Sequence, residues 1–186
     1  MLKAIETVYS GYKFRSRTEA RWAVWFDALG VEYRYEEEGF NLDGVYYLPD
    51  FHLPGYPAFV EIKGTPPTQA EWEKAKRLAQ FGQVWILEGS PWMEFDQNGQ
   101  PVKSSYVAHV YWPDLDDWDK CILTQCRRCG CITPESRSVH MPGYHHDDLC
   151  GYGTCCSPRA GIVRSPELVQ AYTVARQARF EFGEMP

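Results

Sequence analysis

Apolar residues recur at helical spacing from Ser16 to Leu29. Ala20, Ala23, Val24 and Ala28, with Trp22, Trp25 and Phe26, supply the apolar faces, Ser16 is placed to cap the start, and Gly30 stands in the C′ position that ends such helices. The period then changes. Val31 to Tyr35, Val45 to His52 and Ala58 to Lys63 are short β-branched and aromatic runs separated by Gly, Asn and Pro, which predicts three strands in a meander. A second helix is expected over Thr68 to Phe81, with Pro66 and Pro67 before it, Glu71 and Glu73 early, Lys74, Lys76 and Arg77 later, and Gly82 closing it. The run QVWILEG follows as another buried strand. Helix, three strands, helix, strand describes a mixed sheet with helices packed against it.

Beyond Gly89 the pattern weakens. A hairpin around Gln97-Asn98-Gly99 is expected to join Trp92–Phe95 to the run VAHVYW. Ser165 to Phe182 predicts a closing helix, with a Ser N-cap, Pro166 at the first helical position, Glu167 in the first turn and Gly183 past the end.

At 186 residues the chain suits one domain with a small appendage, and 44% hydrophobic with 24% charged residues excludes disordered and collagen-like classes. No apolar run approaches the ~20 residues of a membrane span. The N-terminus has no apolar stretch with a small-residue cleavage site, so a cytosolic protein is expected. Charge is unevenly spread. Residues 1–119 carry 11 basic and 19 acidic groups, a net of −8, whereas residues 120–186 carry 8 basic and 6 acidic groups, a net of +2. The change of sign coincides with the first cysteine and follows WPDLDDWDK, an acidic run that reads as a solvated linker. Two units are expected, 1–119 and 120–186.

The string YYLPDFHLPGYPAFVEIKG, residues 46–64, holds the candidate chemistry. Residues i and i+2 of a strand share a face, so Glu61 and Lys63 point one way and Ile62 the other. If the strand ending at Asp50 pairs with this one, its carboxylate joins them. Two carboxylates form a hard oxygen site suited to Mg²⁺ or Mn²⁺, and a neighbouring lysine can hold a water or stabilise charge on phosphorus. A lone Glu-x-Lys on a strand is common and by itself marks two solvated charges. His52, two residues past Asp50, reads as a supporting polar residue.

With Pro49-Asp50 and, eleven residues on, Glu61-Ile62-Lys63, the chain resembles the PD-(D/E)xK phosphodiesterases, the restriction-endonuclease-like nucleases. Upstream, FRSRTEARWAVWFDALGVEYRYEEEGF looks like the opening of the phage junction-resolving endonuclease I group and of related transposon-end nuclease domains, so the resemblance covers about residues 10–88. It implies a restriction-endonuclease-like α/β fold. It also implies Asp50, Glu61 and the Ile62 carbonyl as Mg²⁺ ligands, Lys63 as the water-positioning group, and Glu19 on the first helix as an auxiliary ligand or base. The activity implied is Mg²⁺-dependent DNA cleavage, and a homodimer is one arrangement open to it. A DNA-binding assembly protein with little cutting, and a ribonuclease, are the rival readings. The resolvase substrate does not carry over, because the cysteine-rich tail has no counterpart in that group.

All seven cysteines lie between Cys121 and Cys156. In a reducing compartment such a cluster points to metal. Cys126-Arg127-Arg128-Cys129-Gly130 has knuckle spacing, and Cys150 with Cys155 can complete a structural Zn²⁺ site of four thiolates. Cys156, His140, His145 or His146 could replace one of them. A second zinc with Cys121 and Cys131, or ordinary thiols, are the alternatives. DNA contacts are expected from Lys13, Arg15, Arg17 and Arg21 around the start of the first helix, and from Arg127, Arg128 and Arg137 on the zinc-clamped loop.

Overall fold

The computed structural model describes residues 4–56, 58–100, 102, 107–112, 116–126, 129–136, 161–162 and 164–180. Ser16 caps the first helix, α1 (Arg17–Ala28), its hydroxyl accepting the Glu19 amide hydrogen at 3.2 Å. Trp22 to Phe26 are buried without interruption, a breadth that one covering surface does not explain, while Ala28 stays exposed. The second surface is the C-terminal helix, α3 (Pro166–Gln177), whose Tyr172 ring packs 5.4 Å from that of Trp25. The helix expected to run to Phe182 ends at Gln177, and residues 178–180 are not helical.

The chain opens with a hairpin that the sequence reading did not anticipate. β1 (Thr7–Tyr9) and β2 (Tyr12–Phe14) turn at Ser10 and Gly11, both at positive φ. Of the three expected strands, the first shrinks to β3 (Arg34–Tyr35). The second divides in two, because Pro49 lacks the N–H a continuous ladder requires. Its first part, β5 (Val45–Tyr47), pairs with β4 (Phe40–Leu42) in a small hairpin turning at Asp43-Gly44, while β6 (Phe51–Leu53) enters the main sheet. The third forms as expected, β7 (Ala58–Lys63).

The main sheet continues through α2 (Gln69–Leu78), β8 (Gln83–Glu88), β9 (Ala108–Trp112), β10 (Asp117–Cys126), β11 (Ile132–Ser136) and β12 (Gly161–Ile162). Its order is β11-β10-β9-β8-β7-β6-β3, with β12 also on β10. β7 and β8 run parallel across α2, and the other pairings are antiparallel, so the sheet is mixed. The period-2 alternation divides it cleanly. Val60, Ile62, Trp85, Leu87, Val110 and Leu123 face the core shared with α1 and α3. Phe59, Val84 and Ile86 face the other way, onto Ala75 and Leu78 of α2 and Leu42 of the small hairpin. The protein is thus a mixed α/β fold, its large sheet flanked by helices.

Two further expectations are corrected. A turn does form at 96–99, where the Asp96 carbonyl accepts the Gly99 amide at 2.9 Å, but the VAHVYW run pairs as β9 with β8 and β10 and not with Trp92–Phe95. The acidic run around position 117 is not a linker: Asp117 and Asp119 alternate with Trp118, whose ring packs 4.7 Å from Trp72 and 5.2 Å from Tyr111. β10 therefore crosses from 119 to 120 within one sheet.

Ser165 joins the terminal helix to this sheet. It is 3% exposed, accepts the Leu168 amide hydrogen at 3.1 Å as N-cap, and donates its hydroxyl to Gln125 on β10. Ser165→Ala should cost about 1–2 kcal/mol, because an orphaned helix donor and the half-buried Gln125 amide oxygen both lose their partner. Urea denaturation measures it, and an unchanged midpoint would mean that the cap does not anchor α3.

Candidate active site

Asp50 sits one residue before β6 begins, next to the point where Phe51 pairs with Val60, and Glu61 follows Val60 on β7. The break at Pro49 frees the Asp50 side chain from an ordinary ladder position. One of its oxygens accepts the Ile62 amide hydrogen at 2.7 Å. Glu61, 3% exposed, places one oxygen 3.1 Å from Lys63 Nζ, and the Tyr47 hydroxyl also reaches its carboxylate. Its Oε1 is buried with no hydrogen-bond partner among the described residues. Lys63 Nζ also lies 3.3 Å from Glu71 Oε1 on α2. The two carboxylates and the ammonium expected from the sequence are therefore brought together, on the sheet face that carries α2. The Ile62 side chain is buried on the opposite face.

Burial dominates the electrostatics. It pushes the Asp50 carboxyl well above its ordinary range, the Glu61 charge and that of Glu19 push it further, and the Ile62 N–H and Lys63 oppose the rise. Burial also raises Glu61, against the pull of Lys63 and the Tyr47 hydroxyl. For Lys63 burial disfavours the charge, but Glu61, Asp50 and Glu71 outweigh it and hold the ammonium above its usual range. The site is a buried cluster with more negative than positive charge and one carboxylate oxygen unsatisfied. Such a donor set fits a hard divalent cation, which would relieve the repulsion and occupy that oxygen. No group of three His, Cys, Asp or Glu side chains is close enough, among the described residues, to hold a metal by itself, so water or substrate oxygens would have to complete the coordination.

Glu19 is buried at the start of α1, and both its oxygens are engaged locally. Oε1 accepts from the Ser16 hydroxyl at 2.6 Å, and Oε2 accepts from the Tyr35 hydroxyl at 2.7 Å and the Arg15 amide at 3.1 Å. Its influence at Asp50 is that of a nearby charge. His52 stacks on Phe59, ring centroids 5.2 Å apart, with Nδ1 3.6 Å from Glu37. Beside the end of β7, an open depression of about 220 Å³ is lined by Gly64, Thr65, Pro66, Glu88 and Lys120. Glu88 pairs in turn with His109, whose imidazole burial holds below its usual range despite that carboxylate.

Of the basic residues expected to meet DNA, Lys13 pairs with Glu6 at 2.7 Å and Arg15 with Glu36, while Arg17 and Arg21 are half-buried on α1. Arg127, Arg128 and Arg137 lie outside the described residues.

The knuckle is formed as a turn. Gly130, at φ +75°, donates its amide to the Cys126 carbonyl at 3.0 Å, the Cys126 amide donates to the Cys131 carbonyl at 2.8 Å, and Cys129 and Cys131 pack against Cys126. Cys121 is elsewhere. Five residues along one strand reverse the face, so Cys121 is buried in the core with Leu123, its thiol pushed up by burial, and the second-zinc pairing of Cys121 with Cys131 does not form. Cys150, Cys155, Cys156, His140, His145 and His146 lie outside the described residues.

Two participants escaped the sequence reading. Tyr47 belongs to the small hairpin and reaches Glu61 only through tertiary packing. Glu71 left a local signal, Thr68-x-x-Glu71 a few residues after Lys63, which marks a capping box at a helix start. No protein-family model, curated protein or solved structure matches the chain.

Proposed function

We propose that the chain is a Mg²⁺-dependent DNA endonuclease that hydrolyses phosphodiester bonds on a restriction-endonuclease-like fold. The observation that carries this reading is the buried Asp50–Glu61–Lys63 constellation, with an unsatisfied Glu61 oxygen beside a second carboxylate. Asp50 and Glu61 would hold the cation, with the Ile62 carbonyl as the resemblance implies, and Glu19 adds negative charge from the first helix. A divalent cation held there would lower the pKa of a water and polarise phosphoryl oxygens. Lys63 orients that water and stabilises charge that builds on the phosphoryl group during in-line displacement. The Ile62 N–H fixes the Asp50 carboxylate, and the Tyr47 hydroxyl favours the charged form of Glu61.

The acidic half of the chain repels a polyanion, so the backbone must be gripped locally. Arg17 and Arg21 on α1 and Arg127 and Arg128 on the knuckle are the groups proposed for this. The decisive experiment is incubation of supercoiled plasmid with the full chain and Mg²⁺, with EDTA as control, followed by linear, nicked, forked and four-way DNA and labelled RNA. Nicking or linearisation that EDTA abolishes is expected. Absence of cleavage of every DNA with either Mg²⁺ or Mn²⁺ would refute the reading.

Structural zinc is proposed at Cys126 and Cys129 with Cys150 and Cys155. The turn at Gly130 supports it, since it brings Cys129 back against Cys126. Protein purified without chelator should carry about one zinc per chain. Elemental analysis showing none ends the proposal.

A further inference from the structure

We infer that Glu71 is a positioning residue for Lys63, holding its ammonium from the start of α2 while Glu61 serves the cation; this rests on the nuclease reading above. Lys63 is the last residue of β7, and a short Pro-rich turn leads from it to Thr68, the N-cap of α2. Glu71 is the N3 residue of that helix, and its two oxygens divide their work. Oε2 accepts from the Thr68 amide and from the Thr68 hydroxyl, each at 2.8 Å, closing a capping box in which the Thr68 hydroxyl in turn accepts the Glu71 amide hydrogen at 3.4 Å. Oε1 is turned to Lys63 Nζ at 3.3 Å.

The division is informative because the two tasks need different chemistry. A capping box requires an acceptor at N3, and glutamine meets that need as well as glutamate. A charge there serves Lys63. Glu61 alone cannot fix the ammonium once its carboxylate is shared with a cation, because the attraction between them is then offset. Glu71 makes no contact with Asp50 or Glu61 that would draw it into the metal site, and the cap locks its rotamer. The ammonium is thus tied to the helix as well as to the strand, 3.1 Å from one carboxylate and 3.3 Å from the other. Displacement of a positioned catalytic group by about 1 Å is enough to cost large factors in rate.

Glu71→Gln separates the roles, since it keeps the cap and removes the charge. In steady-state cleavage of plasmid DNA with Mg²⁺, E71Q should lower kcat by about tenfold or more, leave KM for DNA unchanged and leave Tm unchanged. A readout without metal accompanies it: acetylation of the full-length, metal-free protein with acetic anhydride, followed by peptide mass spectrometry, should modify Lys63 several times faster in E71Q than in the wild type, with the other lysines unaltered. Wild-type rates of both cleavage and Lys63 acetylation in E71Q would overturn the inference. So would slowed cleavage with unaltered acetylation, since the charge would then act elsewhere. A wild-type protein that cuts no DNA counts against the nuclease reading instead, and the acetylation result still decides whether Glu71 holds Lys63.

Discussion

Asp50→Asn is expected to abolish the proposed Mg²⁺-dependent cleavage and to yield a more stable protein. The loss of activity follows from removing one of two carboxylates proposed to hold the cation. The gain in stability follows from the geometry of the metal-free site, where Asp50 is buried against Glu61 and burial with that neighbouring charge outweighs the Ile62 amide hydrogen bond and the attraction of Lys63. Asparagine can still accept the Ile62 amide through its side-chain oxygen, so the fold keeps that contact and loses the repulsion. A gain of about 1 kcal/mol would raise Tm by about 2–4 °C in a chain of this size.

The pH dependence gives the sign independently. The Asp50 and Glu61 carboxyls titrate higher in the folded protein than in the unfolded chain, so between the ordinary carboxylate pKa and the raised one the folded state binds more protons. Stability contributed by keeping these groups protonated is full below about pH 4 and is lost as pH rises through the raised values. The advantage of D50N over the wild type should therefore be large near neutrality and vanish near pH 4. Mg²⁺ should raise the wild-type Tm and leave D50N unmoved. Thermal melts across pH with and without Mg²⁺ test all three statements. A D50N protein that melts below the wild type at neutral pH would show that the carboxylate stabilises the fold and is not held there at a cost.

Phe51→Ala should produce a large loss of stability. The ring is fully buried and meets four others, with centroids at 5.9 Å to Phe14, 5.5 Å to Phe26, 5.5 Å to Tyr33 and 5.4 Å to Tyr35. These come from the N-terminal hairpin, α1, and β3 with the residue before it, so one side chain ties the hairpin and α1 to the edge of the sheet. Truncation should cost about 3–5 kcal/mol, a large share of the ~5–15 kcal/mol that holds a domain folded. Phe51 also adjoins Asp50 on a strand of three residues, and loosening β6 should displace that carboxylate and reduce cleavage even where the protein remains folded. Urea denaturation gives the first quantity and single-turnover cleavage at low temperature the second. A cost below about 1 kcal/mol would mean that the aromatic cluster closes around the cavity.

What could be read along the chain was whatever depends on near neighbours. α1 and α2 were legible because caps and periodicity are local: Ser16 and Thr68 each satisfy an amide three residues on. Glu61 and Lys63 were legible as a pair because strand alternation alone puts i and i+2 on one face. β10 was not legible, since four aspartates in six residues resemble a solvated run until Trp118 finds Trp72 and Tyr111, and those rings come from α2 and β9. The continuous strand expected from Val45 to His52 failed at Pro49, whose effect on a ladder could have been weighed but whose consequence, sending β5 and β6 to different sheets, could not.

The sequence by itself determined the residue types of the candidate site, their order and the shared face of Glu61 and Lys63, because alternation and capping require no partner beyond a few residues. Tertiary structure decided the rest. It brought Asp50 to Glu61 through strand pairing, added Tyr47 from a separate hairpin and Glu71 from the helix across the turn, and engaged both oxygens of Glu19 with Ser16, Arg15 and Tyr35. It also sent Cys121 to the core and Cys126 to the knuckle. The physical reason is common to all of these. Burial and charge coupling depend on which surfaces meet, and groups from 12 to 67 residues apart, such as Ile62 with Asp50 or Trp22 with Gly89, meet only when the whole sheet closes over its helices.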